Sequence, residues 1–170
     1  MTKQLQLVLF TFLCISVNAL TKIKTPDTSS CLQLSGKVLK LRTYSTNSYT
    51  VNLMRNEQLI ESKVIKGNNE FKFDLKKNNF YAVKISKEGY VQRTIIVDTK
   101  LAEMHNGYYK FAFDTELIEE SKADKLNAEA LNMPIAHISF DERKRWFTYN
   151  AEYTKEIKRK IYSGHVQINK

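Results

Sequence analysis

Cysteine is almost missing from this 170-residue chain, which has only Cys14 and Cys31. Two thiols cannot build a disulfide scaffold, and no Cys-x-x-Cys pair offers a redox or zinc site. Histidine is nearly as scarce: His105, His137 and His165 stand far apart, in no metal-ligand spacing. Five glycines and two prolines exclude a collagenous or flexible repeat chain. There is no nucleophile elbow, no P-loop and no zinc-protease histidine pair. Carboxylates are frequent but fall into no glycosidase-like or protease-like motif. The expectation is a protein that is not an enzyme and that uses no cofactor or metal.

What is present points to a sheet protein. Hydrophobic residues at 42% and charged residues at 26% fit a folded domain rather than a disordered one. Nine tyrosines and nine phenylalanines suit sheet faces and a filled core. The formal charge of +9 favours anionic partners. The charges are spread out, however, and only residues 143–145 and 155–160 form dense clusters.

Residues 1–19 read as a secretory signal peptide. Lys3 supplies the positive start, residues 5–17 are apolar but for Gln6, Thr11 and Ser16, and Val17 and Ala19 are small at the positions signal peptidase reads. The apolar run is short for a membrane span. Bulky residues before Cys14 argue against a lipoprotein. Cleavage after Ala19 leaves Cys31 as a single thiol, expected to be buried or idle. Residues 20–31 read as a flexible lead-in, with Pro26, Asp27 and a Thr-Ser-Ser run.

Residues 71–99 organise the rest. Phe71, Phe73 and Leu75 share one face of a first run, and Tyr81, Val83 and Ile85 one face of a second. Val91, Arg93, Ile95 and Val97 share a face of a third. Period-two alternation in aromatic and β-branched residues predicts half-buried strands. Upstream, Leu34, Gly36 and Val38 alternate in one strand and Tyr49, Val51 and Leu53 in the next, with a polar loop at 43–48 between them. A short turn at Asn56-Glu57 leads into a strand over 58–65. Turns follow at residues 66–69, and hairpin-like connections at 76–79 and 87–89, rich in the Gly and Asn that tight turns need. Short strands with regular turns predict an antiparallel sandwich.

Gly36-Lys37-Val38, the run from Gly67 to Phe73 and the run from Tyr81 to Tyr90 resemble the carboxypeptidase regulatory-like, transthyretin-like (prealbumin-like) β-sandwich family. The resemblance covers residues 32–99. It departs from the family at 41–48, where members often carry a longer link with Pro and Gly. It implies a non-catalytic folding or adhesion module and transfers no active-site residue. It also implies an exported protein of Bacteroidota type, since this family is frequent there in outer-membrane, gliding and secretion machinery.

Residues 100–170 are read as C-terminal strands plus a helix, packed on or beside the sandwich. Asn106-Gly107 reads as a hairpin turn, followed by a strand in which Tyr109, Phe111 and Phe113 alternate. Residues 116–132 read as a short helix or an acidic loop, stopped by Pro134. Residues 135–141 and 146–149 read as paired strands. Asn150 is placed to cap a basic helix over 151–163, with Tyr153, Ile157 and Ile161 on one face and Gly164 as its stop.

The fold expectation is thus mainly β: an antiparallel sandwich with a C-terminal α+β extension ending in a short basic helix. The functional expectation is an exported, non-catalytic protein-binding or structural module of the bacterial cell envelope, periplasmic or outer-membrane associated. The alternative is a carbohydrate- or peptidoglycan-binding module using exposed aromatics such as Trp146, Tyr108 and Tyr109. The partner expected is another envelope protein, with polysaccharide or an anionic membrane surface as alternatives. Export argues against nucleic acid. The candidate partner-binding residues are Arg143, Lys144, Arg145 and Trp146 at a basic turn, and Lys155, Lys158 and Arg159 on the helix.

Overall fold

The computed structural model describes residues 29–39, 48–67 and 69–163. The signal peptide, residues 20–28, the loop at 41–47, Asn68 of the turn before Phe71, and the Gly164 stop with its tail lie outside the described residues.

The first part of the chain makes six strands: β1 (Ser30–Leu39), β2 (Ser48–Arg55), β3 (Gln58–Lys66), β4 (Phe71–Lys76), β5 (Phe80–Lys87) and β6 (Tyr90–Asp98). β1 takes in Ser30 and Cys31, so strand begins inside the segment expected as a lead-in. Burial follows the alternation: Tyr49, Val51 and Leu53 are buried on β2, and Phe71, Phe73 and Leu75 on β4. The same holds for Tyr81, Val83 and Ile85 on β5 and for Arg93, Ile95 and Val97 on β6.

The protein is mainly β, a two-sheet sandwich with a helical extension. The order is β4-β1-β7 in one sheet and β10-β9-β6-β5-β2-β3 in the other. The later strands are β7 (Tyr109–Glu116), β8 (Ile118–Glu119), β9 (Ala136–Asp141) and β10 (Trp146–Tyr149). Every pairing among β1 to β6 is antiparallel. Both parallel pairings bring in a later strand: β7 runs beside β1 and β9 beside β6. The C-terminal segment therefore completes both sheets.

Two of the turns act differently from their sequence reading. The turn at residues 76–79 is not a hairpin, because β4 and β5 lie in different sheets. It is an arch, held from inside by the buried Thr99, whose hydroxyl donates to the Lys76 carbonyl at 2.7 Å and accepts from the Asn79 N–H at 3.0 Å. Asn106-Gly107 makes no hairpin either. Neither residue adopts a positive φ, no strand directly precedes them, and the strand that follows pairs in parallel with β1. True hairpins join β2 to β3 and β5 to β6. The first turns on Asn56 and Glu57 at φ 49° and 63°, the pair of left-handed residues that a two-residue hairpin demands.

The main core lies between the sheets, with Leu32, Leu34, Phe71, Phe73 and Leu75 facing Val51, Val83, Ile85, Ile95 and Val97. Gly36 sits where this core is tightest. A Cβ there would come within 2.8 Å of both the Phe71 and Phe113 rings, which meet edge to face at 5.7 Å. Cys31 is buried in the same core, and burial pushes its thiol up to about 11, so it stays protonated and inert at neutral pH.

The sheets are unequal, and helices cover part of what the smaller one leaves bare. α1 (Glu120–Ala123), α2 (Ala128–Asn132) and α3 (Ala151–Tyr162) follow β8 and β10. Asn150 caps α3 as expected, its side chain accepting from Tyr153 N–H at 3.0 Å. Ile157 and Ile161 form a second small core with Ala130 and Leu131, joined by Val91 and Ile118. The tyrosine hydroxyl of Tyr153 donates to the Pro134 carbonyl at 2.8 Å and ties α3 to the approach of β9. No helix among the described residues is long and apolar enough to cross a membrane.

Candidate functional site

Between the free edge of the smaller sheet and α3 lies a cavity of about 1040 Å³. β7 lines it with Phe111, Phe113 and Thr115, and α3 with Thr154, Ile157 and Ile161. Between them β6 and β9 contribute Arg93, Ile95, Ala136 and Ile138. Its volume matches the upper range of small-molecule pockets, about 300–1,000 Å³.

Arg93 is the feature that sets this cavity apart from an ordinary packing gap. It is 6% exposed, and its Nε and Nη1 have no hydrogen-bond partner. Thr154 Oγ1, which also lines the cavity, is buried and without a partner too. Buried polar groups in folded proteins are almost always paired, and an enclosed charge costs far more than a neutral group. Burial lowers the Arg93 guanidinium from its ordinary value, opposed by the nearby Tyr162. A guanidinium nevertheless stays cationic at neutral pH. The cavity thus holds a fixed positive charge beside a largely apolar lining.

Local pairing explains how the arginine reaches this position. Along one edge, β6 pairs first with β8, through Tyr90 and Val91, and then with β9, from Ile95. Arg93 falls in the gap between the two pairings, where the Ile135 N–H reaches the Thr94 carbonyl at 2.8 Å. Its side chain takes the inward side that Ile95 and Val97 also take. The sequence signal was visible as a charged residue on an otherwise apolar strand face. Thr154 gave no such signal, since a lone threonine in a helix is ordinary.

The residues singled out by charge lie elsewhere. Arg143, Lys144 and Arg145 form the exposed turn between β9 and β10, and Trp146 opens β10 at 50% exposure. Asp141 organises that turn by accepting from the Arg143 and Lys144 N–H groups at 2.9 and 3.1 Å, and these bonds hold its carboxyl below the usual range. Arg145 adopts φ 55°, the left-handed conformation that closes the hairpin. Lys155, Lys158 and Arg159 are exposed along α3, which follows the turn in the chain after β10. Of the seven, only Lys158 lines the cavity.

The aromatics named with Trp146 are less free than their sequence positions imply. Tyr109 is half-buried, with its ring edge-on to Trp146 at 5.8 Å and against Phe140 and Phe147. The Tyr108 hydroxyl donates to Asp74. Burial, reinforced by that carboxylate, pushes it up to about 12. His105 is buried on Phe140, with Nε2 2.8 Å from Glu142 Oε2. His137 stacks on Tyr153 at 4.2 Å. Among the described residues no group of three His, Cys, Asp or Glu side chains could hold a metal ion.

No described protein family matches the chain, and no curated protein matches it. A solved structure titled "Crystal Structure of S.CueP" aligns with it at 15% identity and a TM-score of 0.35. The alignment covers 50% of this chain and 60% of that one, so this chain spans less than two thirds of it. The likeness is too slight to bear on activity.

Proposed function

We propose that this chain is an exported, non-catalytic binding module of the bacterial cell envelope, and that its binding element is the cavity under α3. The observation that carries this reading is a buried arginine, two of whose nitrogens lack a hydrogen-bond partner, at a largely apolar cavity of about 1040 Å³. A charge left unpaired inside a fold is a standing cost, and such costs persist where a ligand repays them. The non-catalytic part of the reading rests on the sequence, which carries no nucleophile elbow, P-loop or zinc-protease histidine pair. Export rests on the pattern of residues 1–19. The antiparallel pairing across β1 to β6 supports the proposed kinship with carboxypeptidase regulatory-like sandwiches.

The test is a neutral apolar dye, N-phenyl-1-naphthylamine, titrated into the purified protein. Saturable fluorescence enhancement at one dye per chain is expected. Enhancement that never saturates, as on a merely greasy surface, would count against the reading.

A second contact surface is favoured by the half-exposed Trp146 beside the Arg143–Lys144–Arg145 turn. An indole next to cations can stack on a sugar or seat against a partner protein. Retention on cell-wall polysaccharide that is lost in Trp146→Ala supports the sugar. Recovery of a stoichiometric envelope protein, also lost in Trp146→Ala, supports the protein partner. If the variant behaves as wild type in both assays, the turn is an ordinary solvated tip.

A further inference from the structure

We propose that the cavity takes an amphiphile with a carboxylate head and a long apolar tail, the head on Arg93 and Thr154. This rests on the reading that the cavity binds a ligand at all, and it adds the chemical class. The tail would lie along Phe111, Phe113, Ile138, Ile157 and Ile161, which line the same space.

Three features select that class. The first is charge. Arg93 is the one buried Lys or Arg among the described residues, so a single enclosed cation calls for a single enclosed anion. A guanidinium N–H and a hydroxyl both donate to carboxylate oxygens, and such charge-assisted bonds are the strong ones. The second is the walls. Much of the lining is aliphatic or aromatic, including Ile95, Phe111, Phe113, Ile138, Ile157 and Ile161, which suits an apolar tail. The third is the rim. Acidic side chains do line the cavity, namely Asp114, Glu116 and Glu119. Asp114 pairs with Lys37 and Glu119 with Lys122, and none of the three supplies a hydrogen bond to Arg93 Nε or Nη1. Exposed Lys158 at the same rim favours the approach of an anion.

Among the described residues Arg93 forms no ion pair with a carboxylate, and its Nε and Nη1 have no hydrogen-bond partner. A core that needed only filling at this position would be served by an aliphatic residue like its neighbours Ile95 and Val97.

The experiment uses the full chain, stripped of bound lipid, in calorimetric titrations with dodecanoate, dodecanol and acetate. Dodecanoate is expected to bind one per chain, about tenfold to a hundredfold more tightly than dodecanol, the worth of a charged hydrogen-bonded contact. Acetate, a head with no tail, is expected to bind far more weakly than either. In Arg93→Met the carboxylate advantage is expected to vanish while dodecanol binding persists. That persistence also shows that the variant is folded. Thr154→Val is expected to reduce the advantage in part.

Dodecanol binding as tightly as dodecanoate to the wild type overturns the carboxylate head but leaves the binding reading intact. Failure of both ligands, together with failure of the neutral dye, overturns the binding reading itself. Tighter, Arg93-dependent binding of dodecyl phosphate overturns the carboxylate in favour of a phosphate head. Binding that emerges only when residues 164–170 are deleted assigns the cavity to that segment and overturns a free ligand.

Discussion

Replacing Arg93 by Met is expected to stabilise the protein, by about 1–4 kcal/mol, the range found when buried ionic groups give way to packed apolar ones. The wild-type side chain is 6% exposed and leaves Nε and Nη1 unpaired. The hydration of those two nitrogens is lost on folding, and no hydrogen bond in the fold replaces it. Methionine has a similar reach, no charge, and the flexibility to fill an irregular space among Ile95, Ile138 and Ile157. For a chain of this size each kcal/mol moves Tm by about 2–4 °C. Urea unfolding of ligand-free protein should show a higher midpoint with an unchanged slope.

The pH dependence has a definite sign. Burial lowers the Arg93 guanidinium, so the charged form is less stable in the fold than in the unfolded chain. The penalty is fully present below the folded value and is lost only as pH rises from it towards the higher unfolded value. The gain in Arg93→Met is therefore expected to be flat across neutral and acid pH. A variant that unfolds at lower urea than wild type would show that the arginine holds the structure together, and would remove the ground for a ligand site. A stabilised variant that has lost carboxylate binding is the signature of a site kept at the cost of stability.

The second large effect falls on α3. Ile157→Ala is expected to destabilise by about 2–5 kcal/mol, the cost of truncating a buried aliphatic side chain where neighbours cannot close the gap. Ile157 is 1% exposed and packs with Ile161, Ala130 and Leu131. A helix of 12 residues has little stability of its own in water and depends on that face. Cooperative unfolding should shift to lower urea, and amide exchange in residues 151–162 should speed up more than in β2 or β5. Dye binding should weaken as well, because Ile157 lines the cavity. If α3 instead lay loosely on the surface, the same substitution would cost no more than about 0.5 kcal/mol. Its exchange rates would then match the wild type.

Much of the local structure was legible in the chain because it is written in short-range terms. Alternation places Tyr81, Val83 and Ile85 inside, since successive strand side chains point to opposite faces. Asn150 caps α3 because an asparagine oxygen three residues before the free Tyr153 amide is within reach of it. The break after Arg145 and the pairing of β9 with β10 depend on four consecutive residues. The misread turns share one cause. Residues 76–79 and Asn106-Gly107 have the composition of hairpin turns, and composition records that the chain reverses or bends, not which strand it meets next.

Arg93 marks the limit in the other direction. The sequence shows it on the apolar face of a strand, between Val91 and Ile95. Whether such a residue snorkels to water, meets a carboxylate or stands alone is decided by elements distant in the chain. Here they are β7, β9 and α3, brought together by two parallel pairings that no local pattern specifies. By itself the sequence determined the strands, their inward faces, the cap of the basic helix and a mainly β sandwich with a helical extension, all consequences of backbone periodicity and side-chain chemistry within a few residues. Only the tertiary structure decided that the C-terminal segment completes both sheets, and that an arginine with two unpaired nitrogens is buried beside the space between β7 and α3. The reason is that enclosure is a property of surfaces meeting, and those surfaces come from residues as far apart in the chain as Leu39 and Tyr162.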